Sequence, residues 1–172
     1  IPYSHIMVDE DGIGGAVVDG MFGVKGFVAQ STPLPTSSEI RARQMKIESH
    51  LIPKRNFSNL KTQCAFKLAE LINEHGLTFN VPSYRDIIIE ELSALLRQKD
   101  IDSDGKLKIK SKEDVKLELG KSPDIGDTII YRAWFELQKE AVNDSPERER
   151  ARQNIGNQFV IKRGSMVENS TK

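Results

Sequence analysis

Carboxylates and glycines stand side by side near the start of the chain, over residues 8–15 (Val-Asp-Glu-Asp-Gly-Ile-Gly-Gly). Apolar residues precede them, so Asp9 falls at the carboxyl end of a predicted strand over residues 5–9. In open α/β sheets such strand ends collect binding sites, and carboxylate oxygens suit a hard divalent cation such as Mg²⁺. The alternative is that these acids only cap the turn that the glycines make. The segment therefore indicates either a metal ligand at Asp9 or a simple acidic turn.

The same glycine-rich turn, between a strand and a helix, is also typical of dinucleotide-binding domains. Two features disfavour that function here. Val17 stands where the pattern G-x-G-x-x-G/A needs its third small residue. Three carboxylates directly before the turn would also repel a pyrophosphate group instead of binding it.

A second acidic pair, Asp124 and Asp127, follows Ser122-Pro123 at the start of a predicted last helix. The spacing i, i+3 places both carboxylates on one side of that helix, so with Asp9 they form a candidate acidic cluster. Acids are common in the first turn of any helix, which keeps a purely local role open. The acidic loop at 100–105 resembles a calcium-binding loop, but Ser111 occupies the place of its bidentate Glu, so a turn is favoured over a calcium site.

Positive charge is concentrated between residues 39 and 61, where six basic residues face only Glu39 and Glu48. Such a run is either a solvated surface or a surface that contacts a phosphate backbone. The basic residues are Arg41, Arg43, Lys46, Lys54, Arg55 and Lys61.

Hydrophobic spacing predicts the elements that position these residues. Strands at 5–9 and 25–30 around a short helix at 15–22 form a βαβ unit with a parallel strand pair. Residues 31–56 form a long connection. Further helices are predicted from Leu60, after the N-cap Ser83, after the N-cap Ser111 and near Asp124, with a period-two strand over 106–110.

Composition bounds the class of protein. The chain has 172 residues with 25 basic and 25 acidic side chains and 38% hydrophobic residues, which predicts one globular domain and excludes a polycation or a disordered chain. Its single cysteine, Cys64, excludes an intramolecular disulfide and is predicted to lie in the core. No apolar run is long enough for a membrane span, so we expect no membrane partner and a cytoplasmic location.

Three stretches, taken together, resemble the C-terminal nuclease domain of the large terminase subunit of tailed bacteriophages, the motor that packages DNA. They are the strand-end acid with its glycines from Ile6 onward, the segment from Asn59 to Leu68, and residues 104–127. The last stretch is the most specific, because that family repeatedly places Gly-x-Ser-Pro-Asp-x-x-Asp before a helix. The resemblance covers about residues 5–140.

The resemblance implies a ribonuclease-H-like α/β fold, a mixed sheet flanked by helices that here lacks its first strands. It also implies a metal-dependent endonuclease that cuts concatemeric double-stranded DNA at the start and end of head filling, with two Mg²⁺ or Mn²⁺ ions in the intact domain. The implied partners are DNA, the portal protein and the small terminase subunit, in the cytoplasm of a bacterial host. Asp9 matches the family's second metal ligand, Asp127 the last one, and Asp124 the accessory position before it.

The sequence also departs from that family. The family's first catalytic Asp precedes the position of Asp9, and no G-x-x-x-x-G-K-[ST] motif of the ATPase half occurs. We therefore expect a partial nuclease domain over residues 1–142, a polar tail over 143–172, weak metal binding and little cleavage by this chain alone. The alternative is a non-catalytic module that docks on DNA or on the portal.

Overall fold

A computed structural model describes residues 1–11, 13–48, 56–96 and 105–143. The contacts divide the chain into two compact units, one of residues 1–34 and 54–137, the other of residues 35–53 and 138–172. Most of the predicted acidic loop at 100–105, the basic residues Lys54 and Arg55, and residues 144–172 of the predicted tail lie outside the described residues.

The first unit begins with the predicted βαβ unit. Strand β1 (Met7–Asp9) pairs in parallel with β2 (Lys25–Phe27), and helix α1 (Gly14–Gly20) connects them. Both strands are shorter than predicted. The chain before β1 forms a 3₁₀ turn at Tyr3–His5, and the carbonyl of Ala29, beyond β2, accepts a hydrogen bond from the Lys61 backbone N–H at 3.1 Å.

A helix that the sequence analysis missed lies in the second unit, inside the predicted long connection. Helix α2 (Ser37–Gln44) is preceded by a capping box, in which the Glu39 N–H donates to the Thr36 hydroxyl and the Thr36 N–H donates to the Glu39 carboxylate. The sequence contains this helix-start signal as the motif Thr-x-x-Glu from Thr36 to Glu39. We predicted a long connection instead, because Pro33 and Pro35 directly precede the motif.

The longer helices of the first unit begin with α3 (Leu60–Asn73), whose N-cap Asn59 accepts a hydrogen bond from the Thr62 N–H at 2.8 Å. Helix α4 (Arg85–Leu96) follows a 3₁₀ turn at Pro82–Tyr84. Ser83 therefore lies inside that turn and is not the N-cap that we predicted, because Pro82, which has no N–H to be satisfied, starts the turn.

The last two helices are α5 (Lys112–Leu119) and α6 (Asp124–Asn143). Ser111 caps α5 as predicted, accepting from the Asp114 N–H at 3.1 Å, and Gly120 ends it with a left-handed φ of 68°. The predicted strand over 106–110 is reduced to one parallel bridge between Phe57 and Leu107. Three residues after this bridge, the Lys110 N–H donates to the Leu95 carbonyl near the end of α4.

The core of the first unit lies between β2 and helices α3 to α6, as the apolar stripes predict. Cys64 is fully buried, and this burial raises the pKa of its thiol from 9.0 to about 12. The largest fully buried side chains around it are Phe27, Leu68, Leu95, Val115 and Ile130.

The described residues thus form a mixed α/β protein with six α-helices and a two-stranded parallel sheet, which agrees with the predicted class. The ribonuclease-H-like arrangement of a larger sheet stays a prediction. Within the described ranges, none of the helices combines the length and the apolar character that crossing a membrane requires.

Candidate metal and nucleic-acid site

Asp9 is placed by the tight connection between β1 and α1. It is the last residue of β1, opposite Phe27, and its Oδ1 accepts a hydrogen bond from the Asp11 N–H at 3.1 Å. A Cβ at Gly14 would overlap the carbonyl oxygen of Asp9 and lie 2.8 Å from its carbonyl carbon. Glycine at position 14 therefore lets α1 begin directly against the residue that carries the carboxylate.

Tyr131 connects α6 to the end of β1. Its hydroxyl donates to Oδ2 of Asp9 at 3.1 Å, and its ring stacks on Phe27 of β2 with centroids 4.1 Å apart and planes 23° apart. Asp127 precedes Tyr131 by four residues on α6, a spacing that puts the two side chains on one face of the helix. This helix face thus carries both Tyr131, which bonds the predicted metal ligand Asp9, and Asp127.

The electrostatics of Tyr131 show that three carboxylates act on one hydroxyl. Burial raises the pKa of Tyr131 far above its ordinary value, and the negative charges of Asp127, Asp9 and Asp11 raise it further, together with the hydrogen bond to Asp9. The phenol therefore stays protonated at every ordinary pH and remains a hydrogen-bond donor. The predicted grouping of Asp9 with Asp127 as metal ligands stays a prediction.

Asp127 has a cation beside it that belongs to the protein. The Lys61 ammonium lies 2.7 Å from Asp127 Oδ1, and the two side chains are only 11% and 7% exposed. This carboxylate oxygen is buried, and among the described residues it has no partner with good hydrogen-bond geometry. The Lys61 ammonium therefore neutralises the negative charge of Asp127 without forming a well-aligned hydrogen bond to it. Lys61, predicted as a DNA contact, is thus buried against a predicted metal ligand.

The start of α6, which positions Asp127, is held by a buried carboxylate. Glu91 of α4 is 3% exposed, and its Oε2 accepts a hydrogen bond from the Gly126 N–H at 2.7 Å. A negative charge is favourable at a helix N-terminus. A Cβ at Gly126 would lie 2.8 Å from Leu95 Cδ1 and 3.1 Å from the Glu91 Cβ, so glycine is what lets α4 and α6 approach this closely.

A cavity of about 490 Å³ opens at the end of β1 in the first unit. Acidic residues line it from the end of β1, from the β1–α1 connection and from the start of α5, and lysines line it from α3, from the segment before α5 and from the start of α5. The charged lining residues are Asp9, Asp11, Lys61, Lys108, Lys110, Lys112 and Glu113, and Tyr131 joins them from α6. Lys61 of this lining pairs with Asp127, and Lys110 pairs with Glu118.

The structure does not bring all of the predicted residues together. Asp124 is the exposed first residue of α6, and the described lining of the cavity includes neither Asp124 nor the buried Asp127. Arg43 and Lys46 are exposed in the second unit, where Arg41 also belongs, on α2. Among the described residues, no three His, Cys, Asp or Glu side chains form a group that could hold a metal ion.

Several residues of the site escaped the sequence analysis. The lysines of 106–110 were visible, but their alternation with apolar residues predicted only a half-buried strand. Tyr131 carries a usable signal, since it follows Asp127 by one helical turn. The partnership of Glu91 with Gly126 spans 35 positions and has no local signature.

Comparison with protein-family models, with curated proteins and with solved structures gave no match. The function is therefore inferred from the residues and their geometry.

Proposed function

We propose that this chain is the nuclease domain of a DNA-packaging terminase of a tailed phage, acting on double-stranded DNA with Mg²⁺ or Mn²⁺ at Asp9. The observation that carries the proposal is the cavity of about 490 Å³, which combines Asp9 and Asp11 with Lys108 and Lys112. Carboxylates suit a hard cation, and ammonium groups suit the phosphates of a nucleic-acid backbone. A site for phosphodiester hydrolysis needs both kinds of group in one place.

The described residues fit a site with few protein ligands. Mg²⁺ is commonly held by one or two carboxylates and keeps several waters, so a half-buried Asp9 on an open cavity is sufficient. When bound, such a cation activates a water molecule and neutralises charge on the phosphate. The resemblance implies a larger ligand set that also includes Asp127 and Asp124, and this set stays a proposal. In the part of the chain that the structure describes, no three His, Cys, Asp or Glu side chains form a group that could hold a metal ion.

The surrounding side chains prepare the site for that chemistry. The protonated Tyr131 hydroxyl and the Asp11 N–H each bind one oxygen of Asp9, so they fix the orientation of its carboxylate. Lys108 and Lys112 lie on the same cavity, where they can contact the DNA backbone. The portal protein, the small terminase subunit, the ribonuclease-H-like fold and the cytoplasm of a bacterial host belong to the same proposal.

Binding of Mn²⁺, measured by the loss of its free electron paramagnetic resonance signal, tests the proposal. Asp9→Asn should weaken Mn²⁺ binding by at least about tenfold, because it removes the charged ligand. Asp86→Asn is the matched control, since the Asp86 side chain is 93% exposed and does not belong to the described cavity lining. Equal Mn²⁺ affinities of Asp9→Asn and the wild type would contradict the proposal.

The second candidate is a module that binds DNA without cutting it, which the missing group of three ligands favours. Binding of a short fluorescent duplex in EDTA tests the lysines independently of metal. Neutralising Lys108 and Lys112 together should weaken binding of the duplex. It should also reduce the slope of log K against log salt concentration by about 0.9 for each phosphate contact that is lost. Lys116→Gln, on an exposed position of α5, is the control. Nicking of plasmid in Mn²⁺ that depends on Asp9 would exclude this second candidate.

A further inference from the structure

A second cavity of the first unit, of about 420 Å³, shares no described lining residue with the cavity at the end of β1. We call it the apolar groove. Its apolar lining residues are Leu77, Phe79, Val81, Pro82, Ile88 and Ile89. We propose that this groove binds a segment of a partner protein that adds along residues 77–81 with apolar side chains and pairs one acidic side chain with Arg85.

Part of the groove is formed by the segment that connects α3 to the 3₁₀ turn before α4. Leu77, Phe79 and Val81 all line the groove and stand two positions apart, as alternate residues of an extended chain do. Both ends of the segment are held. The Gly76 N–H donates to the Leu71 carbonyl at 2.8 Å, and the Val81 carbonyl accepts a hydrogen bond from the 3₁₀ turn at 3.0 Å. A ligand would therefore meet a wall whose ends are already fixed.

The middle of this segment offers backbone groups for hydrogen bonding. Among the described residues, the N–H and C=O groups of Thr78, Phe79 and Asn80 have no hydrogen-bond partner. Unpaired backbone donors and acceptors beside a groove for side chains are what a peptide uses when it adds as a further strand. The acyl chain of a lipid has no N–H group to pair with them. The backbone thus favours a peptide as the occupant.

The side chains of the groove are more exposed than their apolar character favours. Ile88, on the first turns of α4, belongs to the hydrophobic core, whereas its neighbour Ile89 is 50% exposed. Phe79 and Val81 are 38% and 44% exposed. Single exposed apolar residues are common, but several that line one groove mark a binding surface. Apolar side chains of a partner would remove these groups from water.

Arg85 supplies the one charge in the described lining of the groove. Its described ion pair is with the adjacent Asp86, at 3.5 Å, and the two side chains are 73% and 93% exposed. Such a long contact between exposed groups contributes little, so the guanidinium remains available to another carboxylate. Arg85 is also the first residue of α4, where the helix dipole favours a negative charge. An acidic side chain in an otherwise apolar peptide is complementary to this arrangement.

Selection of short random peptides displayed on yeast, with the purified chain as the probe, tests the proposal. Enriched peptides should carry apolar residues at alternate positions and one Asp or Glu. In fluorescence anisotropy, Ile89→Glu should weaken binding of the most enriched peptide by at least about tenfold, because it puts a charge into the groove. Arg85→Gln should weaken it by about threefold, and only while the peptide keeps its carboxylate. Leu117→Glu is the matched control, since Leu117 on α5 is 84% exposed and outside the described lining of the groove.

A peptide with N-methylated backbone separates strand addition from simple apolar contact. It should bind at least about tenfold more weakly, because it cannot donate its backbone hydrogen bonds. Unchanged binding of the N-methylated peptide, unchanged binding by Ile89→Glu, or no enriched peptide at all would overturn the inference. So would binding of dodecanoate in place of peptides, or a dimer of the chain that Ile89→Glu dissociates. None of these results depends on Asp9, so the inference and the proposed function can fail separately.

Discussion

The hydrogen bond from Tyr131 to Asp9 joins residues 122 positions apart, and its loss should have a measurable cost. Tyr131→Phe removes only the hydroxyl and keeps the ring that stacks on Phe27. A hydrogen bond to a charged group contributes about 1.5–3 kcal/mol, and this one is partly buried, so we expect a loss of about 1.5 kcal/mol in the free energy of unfolding. Urea unfolding followed by circular dichroism measures this difference.

A double-mutant cycle separates this bond from other effects of the substitution. If Tyr131 and Asp9 interact as described, the costs of Tyr131→Phe and Asp9→Asn should not add, and the coupling energy should be about 1 kcal/mol. Tyr84→Phe is the control, since Tyr84 is 52% exposed, and it should change stability by less than about 0.5 kcal/mol. Additive costs, or a Tyr131→Phe variant as stable as Tyr84→Phe, would refute the proposed tie between α6 and β1.

Two further predictions concern the scaffold of the site. Gly14→Ala should lower the free energy of unfolding by about 3 kcal/mol, because its Cβ would overlap the Asp9 backbone. Gly15→Ala should leave this free energy unchanged or raise it, since its Cβ would meet only the Glu10 carbonyl oxygen, at 3.6 Å. Chemical denaturation of both variants measures the two changes, and equal losses would contradict this prediction. Burial raises the pKa of the Cys64 thiol from 9.0 to about 12, so the thiol binds its proton more tightly in the folded state than in the unfolded state. The protonated thiol therefore stabilises the fold fully below pH 9, and this stabilisation is lost as the pH rises toward 12. In that range the unfolding free energy of the wild type should fall more steeply than that of Cys64→Ala, by about 1.4 kcal/mol per pH unit, and parallel pH profiles would contradict this.

Local patterns predicted the elements whose signals lie within a few residues. The βαβ unit follows from two short apolar runs around a glycine turn, and α5 from a serine cap at one end and Gly120 at the other. Apolar spacing places Leu60, Cys64 and Leu68 of α3 correctly in the core, but it does not predict that Lys61, Thr62, Gln63 and Lys67 of the same helix are buried as well.

Features that depend on distant partners could not be predicted in this way. The segment 106–110 alternates like a strand, but strand formation needs a neighbouring strand to pair with, and within the described residues only Phe57 forms a bridge, to Leu107. Lys61 counted as one charge in a basic run, although its buried partner Asp127 lies 66 positions later in the sequence. Such an ion pair forms only when α3 and α6 pack together. Local patterns in the sequence could therefore indicate Asp127 as a candidate site residue, but they could not indicate that Lys61 neutralises it.

We expect a divalent cation to bind in the cavity beside Asp9. Nuclear magnetic resonance of the ¹⁵N-labelled chain with substoichiometric Mn²⁺ tests it most directly, because the ion broadens the amide signals closest to it. Broadening should be strongest at Asp11 and Ala29, whose N–H groups bond carboxylates at the end of β1 and in the β1–α1 connection, and Asp9→Asn should remove it. If broadening is strongest at exposed acids elsewhere, such as Glu90 on α4, or persists in Asp9→Asn, the cation does not bind at Asp9.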